Sequence, residues 1–219
     1  DTFPLREGLI SGSQTMENLY GIRSDQIVGE TMTADDIPDP DASQEEVQAA
    51  EPEEILGALV EEWDVSKNAD GSVIAKLYKE DGGYKLVISG NGAMKNYTSS
   101  SKAPWYSSYG SKITSVIIED GVTSIGSSAF DGCESLTSVV IPDSVTEIKK
   151  YAFYGFRSIK SVTFGKNVQN IGNAAFFGCA RLRAITLPEG LLAIHDEAFY
   201  YTELESLTIP STVVTIGKN

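Results

Sequence analysis

Few residues of this chain have the type and spacing that carry chemistry. His195 is the only histidine, so no histidine pair is present to hold a metal or relay a proton. Cys133 and Cys179 are the only cysteines, and two thiols without neighbouring histidines make no metal site. Asp120 and Asp143 share a step that invites a calcium ion. The next residue on that step is Lys166, however, and Asp is a common turn former. Asn96-Tyr97-Thr98 has the form of a glycosylation sequon, which matters only in a eukaryotic secretory route. Hydrolase or lyase chemistry needs paired carboxylates in a cleft or a base beside a nucleophile, and no such set stands out. What remains is chemistry of contact. One candidate surface is hydroxylic, with Ser138 from one outward column and Thr163, Thr186 and Thr208 from another. The other is aromatic, with Tyr154, Phe177 and Tyr200 in step behind Asp131, and Tyr201 beside the last.

These residues keep step because the chain repeats itself from Ser111 to its last residue. Phe130, Phe153, Phe176 and Phe199 recur every 23 residues, each preceded by alanine. Gly132, Gly155 and Gly178 follow the first three. Ile125, Ile148, Ile171 and Ile194 keep the same interval, and Ile216 arrives one residue early. A fixed period in the low twenties marks a solenoid, in which one short unit stacks on copies of itself. Within a coil, Leu136, Val139 and Ile141 are expected inward, with Ser138 and Val140 outward, as strand alternation requires. A turn follows at Pro142-Asp143-Ser144. Val145 and Ile148 then return to the core over a second short extended piece, and 151–155 makes a helical turn. Parallel strands are predicted at 115–118, 138–141, 161–164, 184–187 and 206–209, with the four phenylalanines stacked inside. The outward strand columns are then Ser115, Ser138, Ser161, Ala184, Ser206 and Ile117, Val140, Thr163, Thr186, Thr208, neither of which holds an acid or a base. His195 falls at an exposed turn. Neighbouring coils lie about 4.8 Å apart. Cys133 and Cys179 are two coils apart, too far for a disulfide, which needs Cα atoms within about 7 Å. They read as free, buried fillers of a column that Phe156 occupies between them.

The remainder of the chain differs in composition. All of the net charge of −14 falls in residues 1–62, and acids and bases balance afterwards. A neutral folded part behind an acidic leader offers no electrostatic footprint for nucleic acid or an anionic membrane. No apolar run approaches the roughly 18 residues that span a bilayer. The first twenty residues lack the basic end and apolar core of a signal peptide, so a secreted protein would be present here in mature or excised form. Residues 33–54 are rich in Asp, Glu, Pro, Ala and Gln, a composition that buries too little surface to offset chain entropy. Ser43-Gln44-Glu45-Glu46 has the form of a capping box, and Ile55, Leu56, Leu59 and Val60 fit an amphipathic helix over 52–62. A solvated tether is the plainer reading of the whole leader. Residues 63–110 read as β, with strand-like runs at 72–78 and 84–89 around Lys79-Glu80-Asp81-Gly82-Gly83. Two tryptophans and no copy of the repeat suit this block to capping the open end of the solenoid core.

The pattern Ala129-Phe130-Asp131-Gly132-Cys133, continuing through Leu136, Val139, Ile141-Pro142, Val145 and Ile148, resembles the BspA-like leucine-rich repeats of bacterial surface proteins. The block Leu86-Val87-Ile88-Ser89-Gly90-Asn91-Gly92-Ala93-Met94, then Ala103-Pro104-Trp105-Tyr106, is similar to the cap before such arrays. The resemblance covers Trp63 to the C-terminus in five copies and departs from the pattern at Tyr201-Thr202, where the fourth coil loses a residue and its Gly-Cys. It implies an extracellular or cell-surface module for adhesion or binding of a host or neighbouring-cell protein or glycan. It brings no catalytic residue, metal or cofactor, and the chain is expected to be a monomer. A purely structural stalk is the alternative, and a carbohydrate-active β-helix enzyme ranks third.

Two expectations follow from sequence alone. Limited proteolysis should trim the leader towards Trp63 and spare the rest, and equal protection of both halves would show the leader docked. Because the pattern calls for another Ala-Phe after Ile216-Gly217, further repeats are expected in the parent reading frame, and a termination codon after Asn219 would refute this.

Overall fold

The structure, a computed structural model, describes residues 57–218. The capping-box sequence and the acidic stretch through residue 56 lie outside the described residues. Twelve strands are present among those described: β1 Leu59–Asp64, β2 Val73–Glu80, β3 Gly83–Gly90, β4 Gly92–Ala93, β5 Ile113–Ile118, β6 Val122–Ile125, β7 Ser138–Val140, β8 Glu147–Ile148, β9 Ser161–Thr163, β10 Asn170–Ile171, β11 Ala193–Ile194 and β12 Thr215–Ile216. The helical content among them is one 3-10 turn, Gly110–Lys112. No described helix is long and apolar enough to cross a membrane.

β2 and β3 form the expected antiparallel hairpin, Leu77 opposite Leu86, with Gly82 at φ +85° in the turn. β1 runs antiparallel along the outer edge of β2, Trp63 opposite Ala75. This corrects the helical spacing over 52–62: Leu59 to Glu62 are extended, because the open edge of β2 binds their backbone. The cap therefore starts at Leu59 and not at Trp63. On its other side β3 pairs in parallel with β5 of the first coil, Ile88 opposite Ile118. The hairpin thus stands in for the coil that would precede Ser111, and it covers the end of the core with Leu77, Leu86 and Ile88, all fully buried.

The continuous element of the solenoid is the shorter of the two extended pieces. β4, β6, β8, β10, β11 and β12 form one sheet, with parallel pairings that bring Ile125, Ile148, Ile171, Ile194 and Ile216 into register. The missing residue near Tyr201 is absorbed before β12, since Ile194 still faces Ile216. The longer strand column is less regular than predicted. It appears as β5, β7 and β9, of which only β7 and β9 pair with each other among the described residues. Segments 184–187 and 206–209 carry no ladder. Phe164 stands where the other coils have Ile118, Ile141, Leu187 and Ile209, and its ring meets Phe176 edge-on at 5.7 Å. Beside it, where the third and fourth coils share no ladder, lies a groove of about 750 Å³ lined by Val162, Thr163, Phe164, Ile185, Thr186 and Leu187 among others.

Between the two strand columns lies the core. Phe130, Phe153 and Phe176 are fully buried and Phe199 nearly so. Their rings are parallel within 13°, with centroids 5.1, 5.1 and 5.6 Å apart. Trp105 of the cap extends the stack at 6.2 Å from Phe130. Cys133, Phe156 and Cys179 fill the adjoining column, buried, with both thiols free.

The turn over 151–155 is not helical, which corrects the sequence reading. Ala152 and Tyr154 donate their N–H groups within the turn, to Lys149 and Tyr151, while Tyr151, Phe153 and Gly155 donate to Asn173, Ala175 and Phe177 of the next coil at 2.7–3.0 Å. No i→i−4 bond of an α-helix is made by these donors. Sharing them with the neighbour requires left-handed backbone at two columns. Ser128, Tyr151, Ala174 and Glu197 take φ between 49° and 60°, and Gly132, Gly155, Gly178 and Tyr201 between 55° and 85°.

Phe153→Ala should cost about 3–5 kcal/mol in chemical denaturation, as a large-to-small change within a packed stack. A cost of about 1 kcal/mol would mean the stack is loose. Gly155→Ala isolates the backbone contribution, since an added Cβ meets nothing within 4 Å. It should cost about 1–2 kcal/mol from the left-handed φ alone, and no loss would contradict the observed turn.

Candidate functional site

In each turn the buried phenylalanine is followed at once by an outward residue, so neighbouring side chains part company across the backbone. Tyr154 and Tyr200 are 42% and 41% exposed and Tyr201 is 65% exposed, with Phe177 half-buried between them. The structure brings all four predicted aromatics together. Tyr154 stacks on Phe177 at 4.9 Å and 14°. Phe177 meets Tyr200 at 5.6 Å and Tyr201 at 5.5 Å, and Tyr200 lies 4.3 Å from Tyr201. The Tyr200 hydroxyl is raised above its ordinary pKa, chiefly by its hydrogen bond with Tyr201. Sequence reasoning missed one member. Tyr151 is as exposed as Tyr154 and meets it edge-on at 5.6 Å. The available signal was a tyrosine in a column otherwise filled by Ser128, Ala174 and Glu197.

Of these contacts only that of Tyr154 with Phe177 is face on face; Tyr200 and Tyr201 lie tilted and edge-on to Phe177, at 53° and 72°. At the cap end the column holds Asp131 in place of a ring, and a pocket of about 370 Å³ opens in front of Tyr154. Tyr97, Thr98, Lys102, Asp131, Lys150 and Tyr151 are among its walls. Lys102 forms an ion pair with Asp131 and lies 4.4 Å from the Tyr106 ring centroid. The hydrogen bond from Lys102 to Asp131 raises the lysine above its ordinary pKa. Tyr97 is buried, and its hydroxyl has no hydrogen-bond partner among the described residues. Burial, with the nearby Asp64 charge, pushes that hydroxyl up to about 12.

The hydroxyl surface is not gathered into one site. Ser138, Thr163, Thr186 and Thr208 are all exposed. Thr163 and Thr186 share the groove beside Phe164, while Ser138 faces Ser161 across the β7–β9 pair. The other candidate chemistry is committed elsewhere. Asp143 accepts from the Lys166 backbone at 2.9 Å and pairs with its ammonium at 2.8 Å, which holds the carboxyl below its ordinary range. Among the described residues no cluster of ligating side chains is arranged for a metal. His195, expected exposed, is half-buried, because it directly follows β11 and its N–H donates to Ile171 at 2.9 Å. Asn96 of the sequon accepts a hydrogen bond from the Ser127 backbone at 3.0 Å, tying the cap to the first coil.

A family model of BspA-type leucine-rich repeat regions matches residues 103–219 in six copies. The cap was read as free of the repeat, yet the match begins inside it, where Trp105 heads the ring stack. A second family model, of DHHW proteins, matches residues 1–80. The chain is similar to a leucine-rich repeat protein from Eubacterium ventriosum of known crystal structure, with 32% identity and a TM-score of 0.63 over 73% of this chain and 40% of that one. It is also similar to a leucine-rich repeat protein from Bacteroides ovatus, with 28% identity and a TM-score of 0.44 over 67% of this chain and 36% of that one. A leucine-rich cell surface protein from Faecalibacterium prausnitzii shows 27% identity and a TM-score of 0.43, over 68% of this chain and 49% of that one. The chain thus spans less than half the length of each of these three. No curated protein matches it.

Burial raises both thiols, Cys179 to about 12 and Cys133 still further up. Neither should react with a thiol reagent at neutral pH until the chain is unfolded, and rapid native labelling would contradict the packing. The sign for stability follows from the raised folded-state values. The unfolded thiols ionise first, so the contribution is complete below about pH 9 and falls as the pH rises towards 12. Denaturation midpoints at pH 8 and pH 10.5 should show this fall, and Cys179→Ala should lessen it while Cys133 keeps its own share.

Proposed function

The chain belongs to the BspA-type leucine-rich repeat family, and on that premise we propose that it is a non-catalytic binding module working outside the cell. Its partner is a protein or glycan displayed by a host or neighbouring cell. The observation that carries this reading is the aromatic stripe. Tyr151, Tyr154, Phe177, Tyr200 and Tyr201 form an unbroken run of ring contacts over three coils while remaining partly open to water. Solvent-exposed tyrosines give much contact area for little side-chain entropy, which is why such residues concentrate where partners bind. A stalk that only displayed another domain would have no use for them. The outward strand columns carry hydroxyls and aliphatics rather than an acid and a base, which supports binding over catalysis.

The test is a double substitution on a partner identified from protein and glycan arrays. Tyr154→Ser with Tyr200→Ser should abolish partner binding while the far-ultraviolet spectrum and melting temperature barely move, since both rings lie outside the Phe153 stack. Loss of the fold in this variant would show that the stripe is a structural ladder shielding the turns. Retained binding would move the site to the Thr163 and Thr186 groove.

A further inference from the structure

The pocket at the head of the stripe has the chemistry of a site for one sugar ring. One face of Tyr154 is taken by Phe177, stacked at 14°, so its other face points back along the solenoid axis towards the coil of Ser128 and Asp131. Those two residues, with Tyr97, Thr98, Ser99 and Lys102 of the cap, bound the 370 Å³ pocket together with Lys150, Tyr151 and Tyr154. Its size is at the small end of ligand-binding cavities, which run from about 300 to 1,000 Å³. A single pyranose fits within it. The aliphatic C–H face of a pyranose, weakly positive, matches the negative face of the open tyrosine ring. Ser99 and Ser128 add hydroxyl-bearing side chains to the pocket lining, of the kind that hydrogen-bonds sugar hydroxyls.

The charges in the wall refine the class. Lys102 is already neutralised by Asp131. Lys150 is exposed and has no ion-pair partner among the described residues, which leaves one cation in the wall uncompensated. We propose that this pocket binds a single terminal pyranose bearing a carboxylate, with its ring on Tyr154 and its carboxylate towards Lys150. The proposal rests on the reading of the stripe as a contact surface, and it names the ligand of one end of that surface.

Saturation-transfer NMR on the full chain, with free glucuronic acid, N-acetylneuraminic acid, glucose and galactose as probes, tests it. Transfer is expected to the ring protons of the acidic sugars, and more weakly to those of the neutral ones. Tyr154→Ala should lower affinity about tenfold or more, equivalent to about 1.4 kcal/mol. Lys150→Gln should erase the preference for acidic over neutral sugars, a loss of up to about fivefold for an exposed charge pair. Tyr200→Ser, at the far end of the stripe, should leave sugar binding intact while weakening the macromolecular partner. That variant separates the two readings: unchanged partner binding in Tyr200→Ser would count against the stripe alone. No transfer from any probe, or transfer that survives Tyr154→Ala with the fold unchanged by circular dichroism, would overturn the pocket.

Discussion

A coil of this solenoid cannot bury its own phenylalanine; it needs the coil above and the coil below to close over it. That mutual dependence is the constraint on which the other features rest. It fixes the 23-residue interval, because Phe130, Phe153, Phe176 and Phe199 stack only if each coil returns to the same place. It also fixes the backbone. Donors at Tyr151, Phe153 and Gly155 go to the next coil and not to their own turn, so the turns adopt left-handed conformations that only glycine takes without strain. Four residues with side chains nevertheless occupy one of those columns, at Ser128, Tyr151, Ala174 and Glu197. Strain of this kind persists where surrounding packing over-determines the backbone, and here the buried ring beside each of these residues supplies that packing.

The surface follows from the core. With one ring committed inward at each turn, the next side chain has no route but outward, and its identity is free to vary. Tyr154, Phe177 and Tyr200 use that freedom to build a stripe of rings in mutual contact. The stripe stops where Asp131 interrupts it, and the interruption creates the pocket. Buried and exposed rings are therefore adjacent residues of the same turn.

Much of this was legible in the sequence. Period, inward columns, the phenylalanine stack, the free thiols and the outward aromatics all follow from residues recurring in step, because a repeat presents the same choice several times. What escaped was set by single residues or by contacts between distant segments. The longer strand column loses its ladder after β9, and nothing in its outward residues announced the groove that holds Thr163 and Thr186. The extension of β1 back to Leu59 depends on the unpaired edge of β2, which helical spacing over 52–62 does not reveal. Helical turns were expected from Ala-Phe-x-Gly alone, since the pattern does not say whether an N–H looks to its own turn or to the next coil. The pocket joins Lys102 in the cap to Lys150 in the second coil, and only the docking of the cap on the first coil places them together.

The central claim is that adjacent aromatic residues are divided between core and solvent by the repeat. Hydroxyl-radical footprinting of the folded chain, read residue by residue in a mass spectrometer, measures that division directly. Tyr154, Tyr200 and Tyr201 should oxidise readily while Phe130, Phe153 and Phe176 remain protected until the chain unfolds. Comparable labelling of Phe153 and Tyr154 in the native state would contradict the account.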